Sequence, residues 1–224
     1  QALVIGCWED AYERSGQPYI DFLVAHKENF TSLKAVFFAE MTYEENEISW
    51  IQQGSYRTLW VAYPQLEWLQ IRGQEGLFLG DIAHQKLHTL IIETGGLSSM
   101  VIKQLCRATL PALTRLDLWL GDDGYGWDGS VDTIMPLLDA GKFDLLKHLA
   151  ICNSQIQDQI TEKVVASNIV QQLSHLDLSK GTMSAIGGNA LLANKDKLMH
   201  LRIDVSDNYL AEDMVAKLIA SGLN

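Results

Sequence analysis

The sequence predicts an α/β solenoid, a right-handed horseshoe arc with a parallel sheet on its concave face and helices on its convex face. Three observations predict it. A phrase of pattern Leu-x-x-Leu-x-Leu, with Ile, Val or Phe allowed at the apolar places, begins at Leu33, Leu66, Leu87, Leu113, Leu146, Leu173 and Leu198. Its successive spacings are 33, 21, 26, 33, 27 and 25 residues, which cluster at the length of one strand plus one crossover in a repeat array. Helical apolar periodicity follows most of the copies. An incomplete eighth copy, Leu3-Val4-Ile5, aligns Leu3 with Val36 at a further step of 33, so eight strand–crossover units are expected.

Each element has a local reason. Leu3-Val4-Ile5 reads as a strand, and Pro18 to Lys27 as a helix with proline at its first position. On that helix Tyr19, Phe22, Leu23 and His26 fall on one face. After the strand ending at Phe38, Thr42 and Glu45 have capping-box spacing, which predicts a helix running toward Ile51. The unit from Leu66 to Leu87 is too short for a long helix and should cross by a loop or a 3₁₀ turn. After Ile92, Ser98 can cap a helix carrying Val101, Leu105 and Cys106. Further helices are expected over Val131 to Leu138, Asp158 to Ala166, Ile186 to Leu192 and Ala211 to Ile219. The segment from Gly121 to Gly129, with three aspartates and two aromatics, should project from the rim as a mobile surface loop or a contact site. Its spacing does not match an EF-hand calcium loop.

Composition narrows the function classes. The hydrophobic share of 47% is that of a folded protein. Residues 1–224 read as a single repeat domain, because each unit packs only on its neighbours. Neither end carries a polar cap, so the chain is expected to be part of a longer one in which an N-terminal segment covers the first unit. The net charge of −11 and the lack of a Lys/Arg cluster argue against nucleic acid and against anionic membrane surfaces. It either keeps the chain soluble or attracts a basic partner. The apolar runs are far shorter than the roughly 20 residues of a membrane span. Cys7, Cys106 and Cys152 form no Cys-x-x-Cys motif, and a reducing, cytoplasmic compartment fits them best.

Units of this length, built from a strand and a helix, resemble the ribonuclease-inhibitor class of leucine-rich repeats. The ninth place of the phrase departs from that class, which favours Asn or Cys there. This chain has Met41, Gln74, Gly95, Gly121, Ser154, Gly181 and Ser206. The usual side-chain ladder cannot form, and the turns are expected to close through backbone groups bonding to each other. The segments Leu33–Phe38, Glu44–Gln53 and Ile91–Ser98 are similar to a bacterial family of leucine-rich repeat proteins with no assigned activity. That resemblance implies a bacterial cytoplasmic protein and supplies no catalytic residues.

Alternation along each strand puts the third, fifth and seventh places on the concave side. The third-place row then reads Ala35, Trp68, Thr89, Arg115, His148, His175, His200. The fifth reads Phe37, Gln70, Ile91, Asp117, Ala150, Asp177, Arg202, and the seventh Ala39, Arg72, Glu93, Trp119, Cys152, Ser179, Asp204. Phe37, Trp68 and Trp119 with Arg72 and Arg115 are the residue types that anchor protein interfaces. His148, His175 and His200 form an expected ladder with Asp177 and Asp204 beside it. Such a ladder can serve as a hydrogen-bonding patch sensitive to pH near neutrality. It is also the basis of the alternative reading, a metal-binding or hydrolytic centre. No Gly-x-Ser-x-Gly, His-Glu-x-x-His or phosphate-binding Gly-x-x-x-x-Gly-Lys-Ser/Thr motif occurs. The leading expectation is a non-enzymatic scaffold without cofactor that binds a protein partner through Phe37, Trp68, Arg72, Arg115, Asp117, Trp119, His148, His175, Asp177, His200, Arg202 and Asp204.

Overall fold

The computed structural model describes residues 1–223. Its strands are β1 (Ala2–Ile5), β2 (Ala35–Phe38), β3 (Trp68–Arg72), β4 (Thr89–Glu93), β5 (Arg115–Gly121), β6 (His148–Ser154), β7 (His175–Asp177) and β8 (Arg202–Asp204). They pair in parallel and in sequence order from β1 to β8, in one open sheet. The apolar phrase explains the pairing. Leu3, Val36, Leu69, Leu90, Leu116, Leu149, Leu176 and Ile203 lie in one continuous register row. From Val36 to Leu176 every member is buried. A leucine enclosed in this way contributes about 1.5–3 kcal/mol through burial.

The helices are α1 (Gln17–Ala25), α2 (Arg57–Ala62), α3 (Ser99–Arg107), α4 (Val131–Ile134), α5 (Gln157–Ala166), α6 (Ala185–Ala193), α7 (Lys195–Leu198) and α8 (Glu212–Ala220). Their apolar sides join the core that the sheet's apolar row forms, through Ile20 and Leu23, Val101, Ile102 and Leu105, Ile160 and Val164, and Met214 and Leu218. The helices therefore cover one face of the sheet and leave the other open. Between β3 and β4 the chain crosses without a helix, as the short spacing requires.

Four local expectations are corrected. First, the last unit is offset by two residues: Arg202 pairs with His175, Ile203 with Leu176, and Asp204 with Asp177. Leu198 ends α7 instead of opening a phrase, and it is buried there. Second, Thr42 and Glu45 do bond, with the Thr42 N–H 2.8 Å from Glu45 Oε2, but they close a turn, followed only by a 3₁₀ segment over Ile48–Trp50. The helix of that unit is α2. Third, α1 buries Ile20 and Leu23, whereas Tyr19, Phe22 and His26 face out, Phe22 and His26 stacking at 4.2 Å. Fourth, the segment Gly121–Gly129 does not project freely. Trp127 is buried, and Asp128 Oδ1 accepts the Ser99 N–H at the start of α3.

The strands end through a repeated turn. Gly73, Asn153 and Lys180 occupy the eighth place, and Asp207 the equivalent place of the re-registered last unit. All have positive φ, of 105°, 51°, 62° and 55°. This left-handed residue swings the chain out of the sheet. Backbone groups close these turns as expected, the Gly73, Asn153 and Lys180 N–H groups donating to Glu93 O at 2.9 Å, Ser179 O at 3.0 Å and Ser206 O at 2.9 Å, and crossover side chains satisfy further strand carbonyls. Gln53 Nε2 donates to Arg72 O at 2.7 Å, Thr94 Oγ1 to Trp119 O at 2.8 Å, Gln157 Nε2 to Ile151 O at 3.0 Å and Asn208 Nδ2 to Leu178 O at 2.9 Å. These side chains satisfy carbonyls that would otherwise be buried without a partner.

Candidate partner-binding face

The open face is built from alternate strand residues, so its composition follows from the register. One row runs Ala2, Ala35, Trp68, Thr89, Arg115, His148, His175, Arg202. The next runs Val4, Phe37, Gln70, Ile91, Asp117, Ala150, Asp177, Asp204. The two rows divide the face into halves. Across β1 to β4 it is largely apolar, with Val4 58% exposed and Phe37 and Trp68 half-buried. Across β5 to β8 it is charged on nearly every strand.

A polar network marks the boundary between the halves. Arg115 donates from Nε to Asp117 Oδ2 at 2.9 Å, two residues along the same strand. Its guanidinium also lies 5.9 Å from the centroid of the Trp68 ring, so an aromatic of β3 and a carboxylate of β5 hold it together. His148 Nε2 comes within 3.2 Å of Asp117 Oδ1. That approach is off-line for a hydrogen bond, and neither atom has a hydrogen-bond partner among the described residues. We read it as an ion-pair contact when the ring is protonated. Burial alone would raise the Asp117 carboxyl, but His148 and Arg115 outweigh it and hold the group below the usual carboxylate range. At the carboxyl ends of β3 and β4, Arg72 bonds Glu93 at 2.8 Å and reaches Met41 O at 2.6 Å. Gln70 Nε2 donates to the same Glu93 at 2.9 Å.

The histidine ladder is shorter than expected. His148 and His175 are neighbours whose rings stack at 5.7 Å with 26° between their planes. The shifted register places Arg202, not His200, on the other side of His175. His200 lies before β8, with Nε2 3.0 Å from Val170 O. Arg202 and Asp204 remain on the open face, exposed, each one row over from its expected place. Asp177 and Asp204 also close turns: each accepts, at 2.9 Å, the backbone N–H two residues on, from Ser179 and Ser206. Burial raises the Asp204 carboxyl, but the bonds from Ser206 and the nearby Lys180 and Arg202 lower it overall. Among the described residues, no group of three or more His, Cys, Asp or Glu side chains is arranged to hold a metal ion.

A crystal structure of a Bacteroides fragilis protein is similar to this chain. The two superpose with a TM-score of 0.94 and share 33% sequence identity, over 98% of this chain and 63% of that one. The chain thus spans somewhat less than two thirds of that protein's length. No protein-family model matches the sequence, and no curated protein matches it. The likeness supports the fold and brings no activity with it.

Trp119 stands apart from the other expected face residues. It is half-buried at the end of β5, with Lys180 Nζ 5.8 Å from its ring centroid, and it opens onto a cleft at the carboxyl ends of the strands. The sequence pattern did not disclose this cleft, because its walls come from loops that are far apart in the chain. The left-handed eighth place turns the chain at Asn153 and Lys180, both of which line the cleft. Among the described residues, no helix is long and apolar enough to cross a membrane.

Proposed function

We propose that this chain is a single leucine-rich repeat domain of the ribonuclease-inhibitor-like class. Its eight parallel strands line the concave wall of a horseshoe arc, and that wall binds a protein partner. The observation that carries the reading is the composition of the open face. Val4, Phe37 and Trp68 expose apolar surface on β1 to β3, and Trp68 meets the Arg115–Asp117–His148 network, beyond which His175 and Arg202 are exposed. Exposed apolar patches bordered by charge mark interaction surfaces, and Trp and Arg dominate interface energetics. A wall of eight strands at about 4.8 Å spacing is roughly 34 Å long, a length suited to a protein patch.

The scaffold reading is also non-enzymatic and needs no cofactor. With His200 off the ladder, a three-histidine metal or hydrolytic centre loses a member. The nearest thiol, Cys152, is buried, and burial with the Asp177 carboxylate raises its pKa, so it is not a thiolate at neutral pH. Three unpaired cysteines agree with a reducing, cytoplasmic setting.

The test is affinity capture with the immobilised chain, followed by titration of the captured protein. A Phe37→Ala, Trp68→Ala double variant should weaken that titration at least about 30-fold, or about 2 kcal/mol. Val61→Asp, on the exposed side of α2, should leave it unchanged. Weakening by Val61→Asp and not by the double variant would move the working surface to the helices.

A further inference from the structure

At the carboxyl ends of β5, β6 and β7 the loops enclose a cleft of about 480 Å³. That volume falls within the range of small-ligand sites, roughly 300–1,000 Å³. The floor is made by the Gly95, Gly121 and Gly181 turns. Those glycines serve packing: a Cβ on Gly121 would fall 1.7 Å from Gly95 O. The functional character of the cleft therefore comes from its walls.

The walls carry aromatics and planar polar groups with unused bonding capacity. Trp119 is half-buried, while Tyr125 and Tyr209 are 51% and 77% exposed. Asn153 uses its amide nitrogen on Thr94 O at 3.1 Å, and Gln155 accepts the Asp123 N–H at 3.3 Å; among the described residues the Asn153 side-chain oxygen and the Gln155 side-chain nitrogen make no hydrogen bond. The cleft wall therefore offers both an acceptor and a donor.

The charges on the walls narrow the ligand classes. An anion would meet the Glu47 and Asp122 carboxylates. A cation would compete with Lys180, whose ammonium lies 5.8 Å from the Trp119 centroid and is paired with Asp207 at 3.2 Å. A wholly apolar ligand would leave the amides and carboxylates desolvated without partners. A neutral polyol satisfies the walls: its C–H faces stack on aromatic rings, and each hydroxyl both donates and accepts. We propose that this rim cleft is a binding site for a neutral saccharide of one or two rings, with Trp119 as the stacking platform. Entry of the sugar displaces the Lys180 ammonium from the ring.

The test is isothermal titration calorimetry of the full chain against a panel of neutral mono- and disaccharides: glucose, galactose, mannose, N-acetylglucosamine, maltose and cellobiose. Inorganic phosphate and a lysine tripeptide serve as charged probes. At least one sugar should bind saturably. Tyr209→Ala, a change at an exposed side chain, should weaken that sugar at least about fivefold, Trp119→Ala should abolish binding, and both variants should melt as cooperatively as the parent. Lys180→Met should strengthen binding or leave it unaltered, because it frees the ring. The proposal is overturned if no sugar of the panel binds up to about 20 mM, if only phosphate or the tripeptide binds, or if the sugar isotherm is the same in folded Trp119→Ala.

Discussion

Replacing Asp117 with Asn tests the network at the centre of the open face. The substitution keeps the shape of the side chain and removes its charge. Asp117 is buried, its side chain only 9% exposed, and it faces His148 at 3.2 Å and the Arg115 Nε at 2.9 Å. Breaking a fully buried ion pair costs about 3–5 kcal/mol. Here the Arg115 side chain is 39% exposed and can turn to water, so the cost should fall to about 1–3 kcal/mol, the range for a lost charged hydrogen bond. The carboxyl's own contribution should also depend on pH. The native carboxyl titrates below its unfolded value, so its contribution is complete above the ordinary carboxylate pKa, about 3.9. That contribution is lost as pH falls through the lower native pKa. Urea melts of parent and variant at pH 7 and again near pH 2.5 give the assay. The variant should be less stable at pH 7, and the gap should narrow in acid. Equal stability at pH 7, or a gap unchanged in acid, would refute the network as described.

Other expectations follow from the same structure. Leu116→Ala and Leu176→Ala, each buried in the central register row, should each cost about 2–5 kcal/mol in denaturant melts; a loss below about 1 kcal/mol would mean the register is wrong. Gly121→Ala, at φ +74° with no room for a Cβ, should lose more than about 1 kcal/mol, and an unchanged melt would refute that turn. Small-angle scattering should fit one curved body, whereas two independently moving bodies would contradict a continuous repeat array.

The strands were legible because burial repeats every second residue and each unit stacks on the next in register. The same period explains the one register error. Leu198, Leu201 and Ile203 match the phrase, yet the true pairing is two residues further on. A two-residue slip keeps every side chain on its own face, so Leu201 is buried in either register and alternation could not separate them. His200 was drawn onto the ladder by that slip. The helix α2 was missed because it has six residues and no side-chain cap, while Thr42 and Glu45 offered a stronger local signal that ends in a turn. Trp127 was misread because its neighbours are glycines and aspartates, and only the fold shows that the segment lies against the start of α3. The rows of Trp68, Arg115 and His148 were read correctly, since they depend on alternation within strands whose register is secure. The contacts within those rows were not legible, because the distance between Asp117 and His148 depends on side-chain directions across two strands.

The most direct measurement of the central claim is hydroxyl-radical footprinting of the chain alone and bound to its captured partner. In the free chain, Val4, Trp68 and His175 on the open face and Met100 on α3 should all react, in keeping with their exposure. In the complex, Val4, Trp68 and His175 should be protected while Met100 reacts as before. Protection of Met100 with Trp68 and His175 still reactive would contradict the assignment of the open face as the binding surface.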